Sequence, residues 1–249
     1  MIWKVTLTYD GTDFYGWQIQ KQGRTVQGEV LAALARMHKH EVTVHAAGRT
    51  DSGVHAYGQV IDFDSDIESI GPARLPVALN SYLPGDIRAR SAREVDTEFH
   101  ARYSARLRTY RYYWTVGEIV SPPEKRFCGL LTHHPSVERL NRLCRPIIGT
   151  HDFSTFTLPT ETSENRVRTV AGATFFPLRG QLVFQISANA FLWRMVRSIA
   201  GTIIELDKIG AEPVEVEQRL AAQDHAAAGP SAPSCGLFLH HVAYADEYM

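Results

Sequence analysis

Cysteine is scarce in this sequence, and the cysteines present form no pattern that binds a metal or builds a disulfide framework. The 249 residues contain three isolated ones, Cys128, Cys144 and Cys235. The chain also lacks a CxxC pair, an HExxH helix, a P-loop and the glycine-rich fingerprint of dinucleotide-binding proteins. These absences argue against a metal, nucleotide or flavin cofactor, and we expect no cofactor. Isolated thiols are typical of a reducing compartment, so we expect a cytoplasmic protein.

Long hydrophobic runs are also missing. The best candidate, residues 191–206, contains Arg194 and Arg197, and charged side chains are rare inside membrane-spanning helices. The first six residues enter a strand-like pattern at once, so we expect neither a secretory signal nor a membrane anchor.

The net charge is close to zero, at −1, because 26 basic residues offset 27 acidic ones. From residue 205 onward, eight acids against two bases give a charge of −6, which leaves +5 on the preceding residues. Seven arginines lie between residues 88 and 111, among several tyrosines and Trp114. Such a run is most simply a solvated face, but it also suits phosphate contacts and base stacking. Composition alone leaves the partner open.

The spacing of apolar residues predicts two α/β halves joined near residue 104, as domains 1–103 and 104–249. The first half has a β-α-β-β-α-β order, typical of a ferredoxin-like layer. Its predicted elements are strand 2–9, a helix capped by Thr25, strands 41–47 and 57–63, helix 72–82 and strand 87–95. Those of the second half are strand 108–116, helix 137–148, hairpin 167–188, helices 191–206 and 214–222, and strand 237–244.

A loop with a carboxylate between two glycines connects two of these strands. It runs from Gly48 to Ala56 and contains Asp51, followed by Gly53. Glycine can adopt positive φ or admit a ligand close to the backbone, and strands hold such a loop rigidly. Asp51 is therefore the first candidate for chemistry. A structural turn, a helix cap and an ordinary surface acid remain open as alternatives.

Two further segments contain candidate functional side chains. Residues 9–18 place Phe14, Tyr15 and Trp17 in a Gly- and Asp-rich loop, which predicts either a structural turn or a base-stacking surface. In the helix predicted from residue 191, Arg194, Arg197 and Gly201 would share one face. A glycine there would let another backbone come close. The arginines could be solvated, or one could pair with a carboxylate such as Asp51.

The residues by themselves do not select one reaction. Ser52 and His55 could serve a Ser-His-Asp hydrolase, but no nucleophile elbow surrounds the serine. Glycoside hydrolysis would need a second carboxylate, which Asp10, Asp13 or Asp62 could supply. Without further information, the sequence predicts an α/β protein with a loop-borne acid and a surface of arginines and aromatic residues.

Taken together, several short segments are more specific. They are YDGT at 9–12, GWQ at 16–18, GRTD at 48–51, VHA at 54–56, GQV at 58–60, LPGDI at 83–87, FHAR at 99–102, YRY at 110–112, HDF at 151–153, NAF at 189–191, MVR at 195–197 with Gly201, AP at 232–233 and GL at 236–237. In this order they resemble the TruA family of tRNA pseudouridine synthases, over nearly the full chain. The resemblance implies the pseudouridine synthase fold: two ferredoxin-like α/β halves with mainly antiparallel sheets, helices packed on one side and an active-site cleft between the halves.

The resemblance also implies an activity, the isomerisation of uridine to pseudouridine at positions 38, 39 and 40 of the tRNA anticodon stem-loop, without a cofactor. Asp51 matches the essential aspartate, which either attacks C1′ or removes a ribose proton. Arg197 matches the arginine that pairs with it. Tyr110 matches the tyrosine that stacks on the target uracil and is a candidate for removing the C5 proton.

The remaining assignments concern the RNA. Arg49 matches the residue that fills the space left by a flipped nucleotide. Arg102 and Arg111 are expected at phosphates, and Gln18, Thr50 and His55 at the bound substrate. Members of the family act as homodimers in which both subunits contact one tRNA, so we expect a dimer. A non-catalytic tRNA-binding module and a carboxylate-dependent hydrolase are the competing hypotheses.

Overall fold

The computed structural model describes residues 1–245. The strands are β1 (Ile2–Tyr9), β2 (His45–Ala46), β3 (His55–Asp64), β4 (Ile87–Val95), β5 (Ala105–Val116), β6 (Gly129–Leu131), β7 (Gly149–Asp152), β8 (Val167–Leu178), β9 (Gln181–Ala188) and β10 (Leu237–Tyr244). The helices are α1 (Val26–His38), α2 (Leu75–Asn80), α3 (Pro122–Lys125), α4 (Val137–Cys144), α5 (Met195–Lys208) and α6 (Pro213–Ala222). The chain divides into two compact units. The first holds Met1–Arg106 and the described residues from Phe238 on; the second is Leu107–Leu237.

The first unit contains a mostly antiparallel sheet in the order β4-β1-β3-β10. Strand β1 is antiparallel to both β3 and β4, and the short β2 pairs with β3. Strand β10 joins in parallel, with Phe238 opposite His55 and Leu239 opposite Ala56. The predicted β-α-β-β-α-β order is confirmed. The predicted domains 1–103 and 104–249 assign the last strand to the second half, whereas β10 belongs to the first compact unit.

Helix α1 begins where its sequence predicts. The Thr25 hydroxyl accepts a hydrogen bond from the Gly28 N–H at 3.3 Å, which satisfies one of the unpaired donors of the first turn. The helix packs its buried side against the sheet. There the ring of His38 meets Phe63 of β3 edge to face, with 5.8 Å between centroids. Burial of such apolar faces is the main stabilising term of an α/β layer.

In the second unit the strand order is β5-β9-β8-β7; neighbours along this path are antiparallel, and β6 is parallel to β5. Its central hairpin, β8–β9, turns at Arg179 and Gly180, whose φ values are 50° and 82°. Two successive positive φ values are typical of the type I′ turn that matches the twist of paired strands. The predicted hairpin is confirmed, and so is the fold class of two α/β halves with mainly antiparallel sheets.

In each unit an asparagine on a helix binds the backbone of a neighbouring strand. Asn80 of α2 donates to the carbonyl of Ala89 at 2.9 Å and accepts from its N–H at 2.7 Å. Asn141 of α4 makes the same pair with Phe175, also at 2.9 and 2.7 Å. Each asparagine side chain therefore satisfies the N–H and carbonyl of a strand residue, as a neighbouring strand would do.

Several predicted elements are shorter than the sequence pattern indicates. The strand predicted at 41–47 forms only at His45–Ala46. Val42 and Val44 are buried without strand pairing. The alternation of apolar and polar residues here therefore reflects side-chain burial and not hydrogen bonding within a sheet. The helix predicted at 137–148 ends at Cys144 and continues as a 3-10 turn that contains Pro146, since proline lacks the N–H that an α-helix requires.

The helix predicted at 191–206 begins four residues later, at Met195. Arg194 has φ of 60° and ψ of 6°, a left-handed conformation that cannot belong to the helix. Arg194 therefore does not share a helical face with Arg197 and Gly201, and that part of the prediction is wrong. The helix predicted at 72–82 is likewise limited to Leu75–Asn80, after a turn formed by residues 71–74.

Candidate active site

Asp51 lies in the connection between β2 and β3, at the first position of a tight turn. The N–H of Val54 donates to the carbonyl of Asp51 at 3.1 Å, and Gly53 has φ of 74°. Positive φ at the third position of a turn strongly favours glycine, because a side chain there would meet the backbone. The predicted glycine turn around Asp51 is confirmed. The carboxylate is held by the turn and not by a flexible loop.

A second loop, residues 10–18, braces this turn from one side. The N–H of Trp17 donates to the Thr50 carbonyl at 3.0 Å, and the N–H of Gly53 donates to the Phe14 carbonyl at 3.3 Å. Gly16, with φ of 88°, lies so close that a Cβ there would be 2.7 Å from the carbonyl oxygen of Thr50. The backbone on both sides of Asp51 is thus fixed by contacts that need small residues.

The aromatic residues of this second loop are mostly structural. Phe14 and Trp17 are almost fully buried, whereas Tyr15 is exposed. Base stacking by Phe14 or Trp17 is therefore excluded by burial, and the structural interpretation of the loop is right for these two. Gln18, which follows Trp17, is half-buried at the edge of the loop.

A buried polar network fixes the backbone immediately before Asp51. The Thr50 hydroxyl is 2.8 Å from Tyr9 Oη, and Gln59 Nε2 donates to the Gly48 carbonyl at 2.8 Å. Burial raises the pKa of Tyr9, and its hydrogen bonds to Thr50 and Gln59 oppose this only in part. Thr50 is predicted at the substrate, which stays a prediction; in the structure its side chain is buried and bonded within the protein, where it holds the turn.

His55 also acts from inside the protein. Its side chain is fully buried, and its Nδ1 accepts a hydrogen bond from the Gly11 N–H at 2.9 Å. The ring stacks on Phe238 of β10, with 4.5 Å between centroids. A Cβ on Gly11 would lie 2.0 Å from the Val54 carbonyl oxygen, so the start of the 10–18 loop packs closely against the turn that contains Asp51. His55 was predicted at the substrate; its burial favours positioning instead.

The first unit presents two predicted arginines at its surface. Arg49 is exposed, directly between Gly48 and the buried Thr50. Arg102 is exposed on a turn whose Ala101 N–H donates to buried Asp62 at 2.6 Å, and its guanidinium lies 5.6 Å from the ring of exposed Tyr103. Arg102 therefore lies on backbone that the Ala101–Asp62 hydrogen bond fixes.

In the second unit, Tyr110 and Arg111 lie on the paired strand β5. Tyr110 is opposite Ile186, and its ring meets Phe191 edge to face at 5.1 Å. The ring is mostly buried, and Phe191 fixes its orientation. Arg111 extends across to β9, where its Nε–H donates to Gln185 at 2.8 Å.

Arg197 lies in the first turn of α5 and is bound to the chain segment 229–233. Its Nε–H donates to the Ala232 carbonyl at 2.8 Å, and the Ala232 N–H donates to the Arg197 carbonyl at 3.0 Å. One turn later on the same face, a Cβ on Gly201 would lie 1.8 Å from the Pro230 carbonyl oxygen. The prediction that Gly201 admits another backbone is confirmed, and this contact sets the position of the segment that holds Arg197.

The sequence reasoning missed Tyr112, which anchors the other end of that segment. Its hydroxyl donates to the Pro233 carbonyl at 2.6 Å, and its ring packs where a Cβ on Gly236 would lie at 2.4 Å. Burial raises the pKa of Tyr112 well above its ordinary value. The AP and GL pairs at 232–237 were the available signal, but nothing in the sequence connects them to a tyrosine more than a hundred positions earlier.

Residues 1–245 contain no group of three or more histidine, cysteine, aspartate and glutamate side chains placed to hold a metal ion. Within the same residues, no helix has both the length and the apolar character to span a membrane.

Both units match known proteins in sequence. A family model described as tRNA pseudouridine synthase matches residues 6–104 and 143–245. Proteins named tRNA pseudouridine synthase A are similar over nearly the whole chain. The one from Treponema denticola is 41% identical and covers 98% of this chain and 93% of its own length. That of Geobacillus kaustophilus is 43% identical, with 98% and 95% coverage, and that of an Exiguobacterium species is 40% identical, with 97% of both.

Proposed function

The chain belongs to the tRNA pseudouridine synthase family, and on this basis we propose that it isomerises uridine to pseudouridine at positions 38, 39 and 40 of the tRNA anticodon stem-loop. The structural observation that carries the proposal is the rigid turn that begins at Asp51. An acid that acts on a ribose must be held in position, and here the backbone on both sides of it is fixed.

The reaction exchanges one bond for another within a single nucleotide. The N1–C1′ bond breaks, the detached uracil turns while still bound, and a C5–C1′ bond forms. C5 loses its proton and N1 gains one, so the product is an isomer of the substrate. Nothing is oxidised or hydrolysed. We propose Asp51 as the catalytic carboxylate, which either attacks C1′ or removes a ribose proton. Both routes need the ionised acid.

Arg197 is the proposed cation for that carboxylate. A guanidinium orients an acid best when its own position is fixed. Arg197 makes two hydrogen bonds with the Ala232 backbone: its Nε–H donates to the Ala232 carbonyl, and its own carbonyl accepts from the Ala232 N–H. A positive charge next to a carboxylate favours its ionised form. In this proposal the contact between Gly201 and Pro230 has a catalytic purpose, because it places the segment that holds the arginine.

We propose that Tyr110 stacks on the target uracil and accepts the C5 proton after rotation. The edge-to-face contact with Phe191 supports this, since it keeps the ring in one orientation. Arg49 is proposed to fill the stem when the nucleotide is flipped out. Arg102 and Arg111 are proposed to contact phosphates, with Gln18 at the edge of the substrate.

Release of tritium from tRNA labelled at C5 of uridine tests the activity and its competitors together. The isomerase releases tritium and leaves the RNA intact, a hydrolase leaves an abasic site, and a binding module releases nothing. We expect Asp51→Asn to abolish release while tRNA affinity stays within about twofold, because one acid contributes little to phosphate binding. Glu68→Gln, which removes an exposed carboxylate from the same unit, is the matched control and should retain full activity.

Full activity in Asp51→Asn would contradict the catalytic assignment. The three positions are tested by treating unmodified tRNA transcripts with the protein and mapping the pseudouridines that form. Product at any other position would contradict the assignment to positions 38, 39 and 40. We also propose that the protein is a homodimer whose subunits both contact one tRNA. Sedimentation of the protein with and without tRNA tests this, and a monomer that binds one tRNA would refute it.

A further inference from the structure

The turn that precedes α5 has an unusual backbone for its sequence. Arg194 has φ of 60° and ψ of 6°, in the left-handed region that glycine or asparagine normally occupies. Neighbouring apolar residues Leu192 and Met195 point into the core on either side of it. A left-handed backbone conformation is strained in a residue with a long side chain. Such strain persists where the surrounding structure imposes it, often at functional sites.

Two side chains from the segment 157–161 impose this conformation. The N–H of Trp193 donates to Glu161 Oε2 at 2.7 Å, and the Thr157 hydroxyl donates to the Trp193 carbonyl at 3.0 Å. Thr157 is buried, and the second oxygen of Glu161 accepts from the Ser163 N–H at 2.9 Å. Burial alone would raise the pKa of Glu161, but the backbone N–H groups of Trp193 and Ser163 outweigh it and lower the pKa.

The consequence of this geometry is an exposed tryptophan. Trp193 has 45% of its surface exposed, whereas Trp3, Trp17 and Trp114 are each at most 2% exposed. Exposed Arg194 places its guanidinium 5.7 Å from the Trp193 ring. Two positions before the tryptophan, Phe191 contacts Tyr110. The largest exposed ring of the second unit is thus fixed beside a cation, on the turn between β9 and α5 that also carries the Phe191 in contact with Tyr110.

We propose that Trp193 stacks on a nucleobase of the substrate RNA, while Arg194 contacts an adjacent phosphate and Glu161 and Thr157 act as positioning residues. This rests on the proposed function for the identity of the ligand. A flat indole face beside a guanidinium suits unpaired RNA, in which bases stack on aromatic rings and the backbone is anionic. Tryptophan loses little side-chain entropy on binding, and its backbone is already fixed by two hydrogen bonds.

Tryptophan fluorescence can test this directly, because three of the four tryptophans are buried. Iodide should quench mainly Trp193, and an unmodified anticodon stem-loop RNA at fixed salt should both quench its emission and protect it from iodide. We expect Trp193→Ala to weaken RNA binding about tenfold, the scale of stacking one base. Trp193→Phe should keep most of the affinity but lose the fluorescence response. Ile209→Ala, which removes an exposed apolar side chain at the far end of α5, is the matched control.

The positioning role has its own signature. Glu161→Ala should weaken RNA binding as Trp193→Ala does and make the tryptophan emission depolarise faster. Glu161→Gln keeps an oxygen acceptor for the Trp193 N–H and should restore both readouts. If Glu161→Ala leaves both unchanged, this carboxylate does not position Trp193.

The outcomes separate this inference from the proposed function. Unchanged affinity in Trp193→Ala, with normal tritium release by the wild type, overturns the stacking proposal and leaves the isomerase intact. Loss of dimer in Trp193→Ala without RNA-dependent quenching also overturns it and assigns the surface to a second copy of the chain. Quenching by RNA in a wild-type protein that releases no tritium supports stacking and refutes the isomerase.

Discussion

Alanine at Gly201 is expected to reduce catalysis through the segment that holds Arg197. A Cβ at this position would lie 1.8 Å from the Pro230 carbonyl oxygen, and ordinary contact begins at 3.4 Å. The segment must therefore move by about 1.5 Å, because the helix on the other side is close-packed. That displacement exceeds what the hydrogen bonds between Arg197 and Ala232, at 2.8 and 3.0 Å, can absorb.

The expected loss of stability is the sum of two destabilising terms and one stabilising term. Overpacking costs about 1–3 kcal/mol, and two lost hydrogen bonds cost about 1 kcal/mol each. Alanine's higher helix propensity returns about 1 kcal/mol. We expect the free energy of unfolding to fall by about 2–4 kcal/mol, and kcat to fall about 100-fold because the guanidinium is misplaced by about 1 Å.

Urea denaturation and single-turnover tritium release measure the two effects separately. Gly172→Ala, in β8 of the same unit, is the matched control, since a Cβ there meets nothing within 4 Å. The control should retain wild-type kcat. A folded Gly201→Ala protein with wild-type kcat would refute the reasoning, because the position of residues 230–232 would then be irrelevant to the reaction.

Two further predictions concern stability. Thr25→Ala should lower the free energy of unfolding by about 1 kcal/mol in urea, since the first turn of α1 loses its side-chain cap; an unchanged midpoint would contradict that role. Tyr112 has its pKa raised by burial, so above about pH 10 the unfolded chain loses this proton first and stability falls as pH rises. Tyr112→Phe should make that fall shallower between pH 9 and 11, and an equal slope in both proteins would count against a buried neutral phenol.

Features set by neighbouring residues could be read from the sequence. The Thr25 cap, the hairpin at Arg179–Gly180 and the turn around Gly53 each depend on a few adjacent side chains, and all three were predicted. The recognised motifs also located Asp51, Tyr110 and Arg197 on their elements.

Features set by distant residues could not be read in this way. The left-handed Arg194 depends on Glu161 and Thr157, more than thirty positions earlier, and so the start of α5 was misplaced. The burial of Thr50 and His55 depends on the loop at 10–18 and on Phe238. A motif records that such residues matter, but it does not distinguish a side chain that touches substrate from one that holds the backbone in place.

The return of the chain to the first unit has a consequence for synthesis. Strand β10 pairs with β3 beside the Asp51 turn, and Phe238 covers the ring of His55. On the ribosome, where N-terminal segments emerge first, residues 1–106 are present long before this strand exists. The acid-bearing turn therefore reaches its final packing only when residues 238–244 have left the exit tunnel. A chain cut short before that point lacks the Phe238 ring that covers His55, so nascent fragments do not carry the Asp51 turn in its final packing.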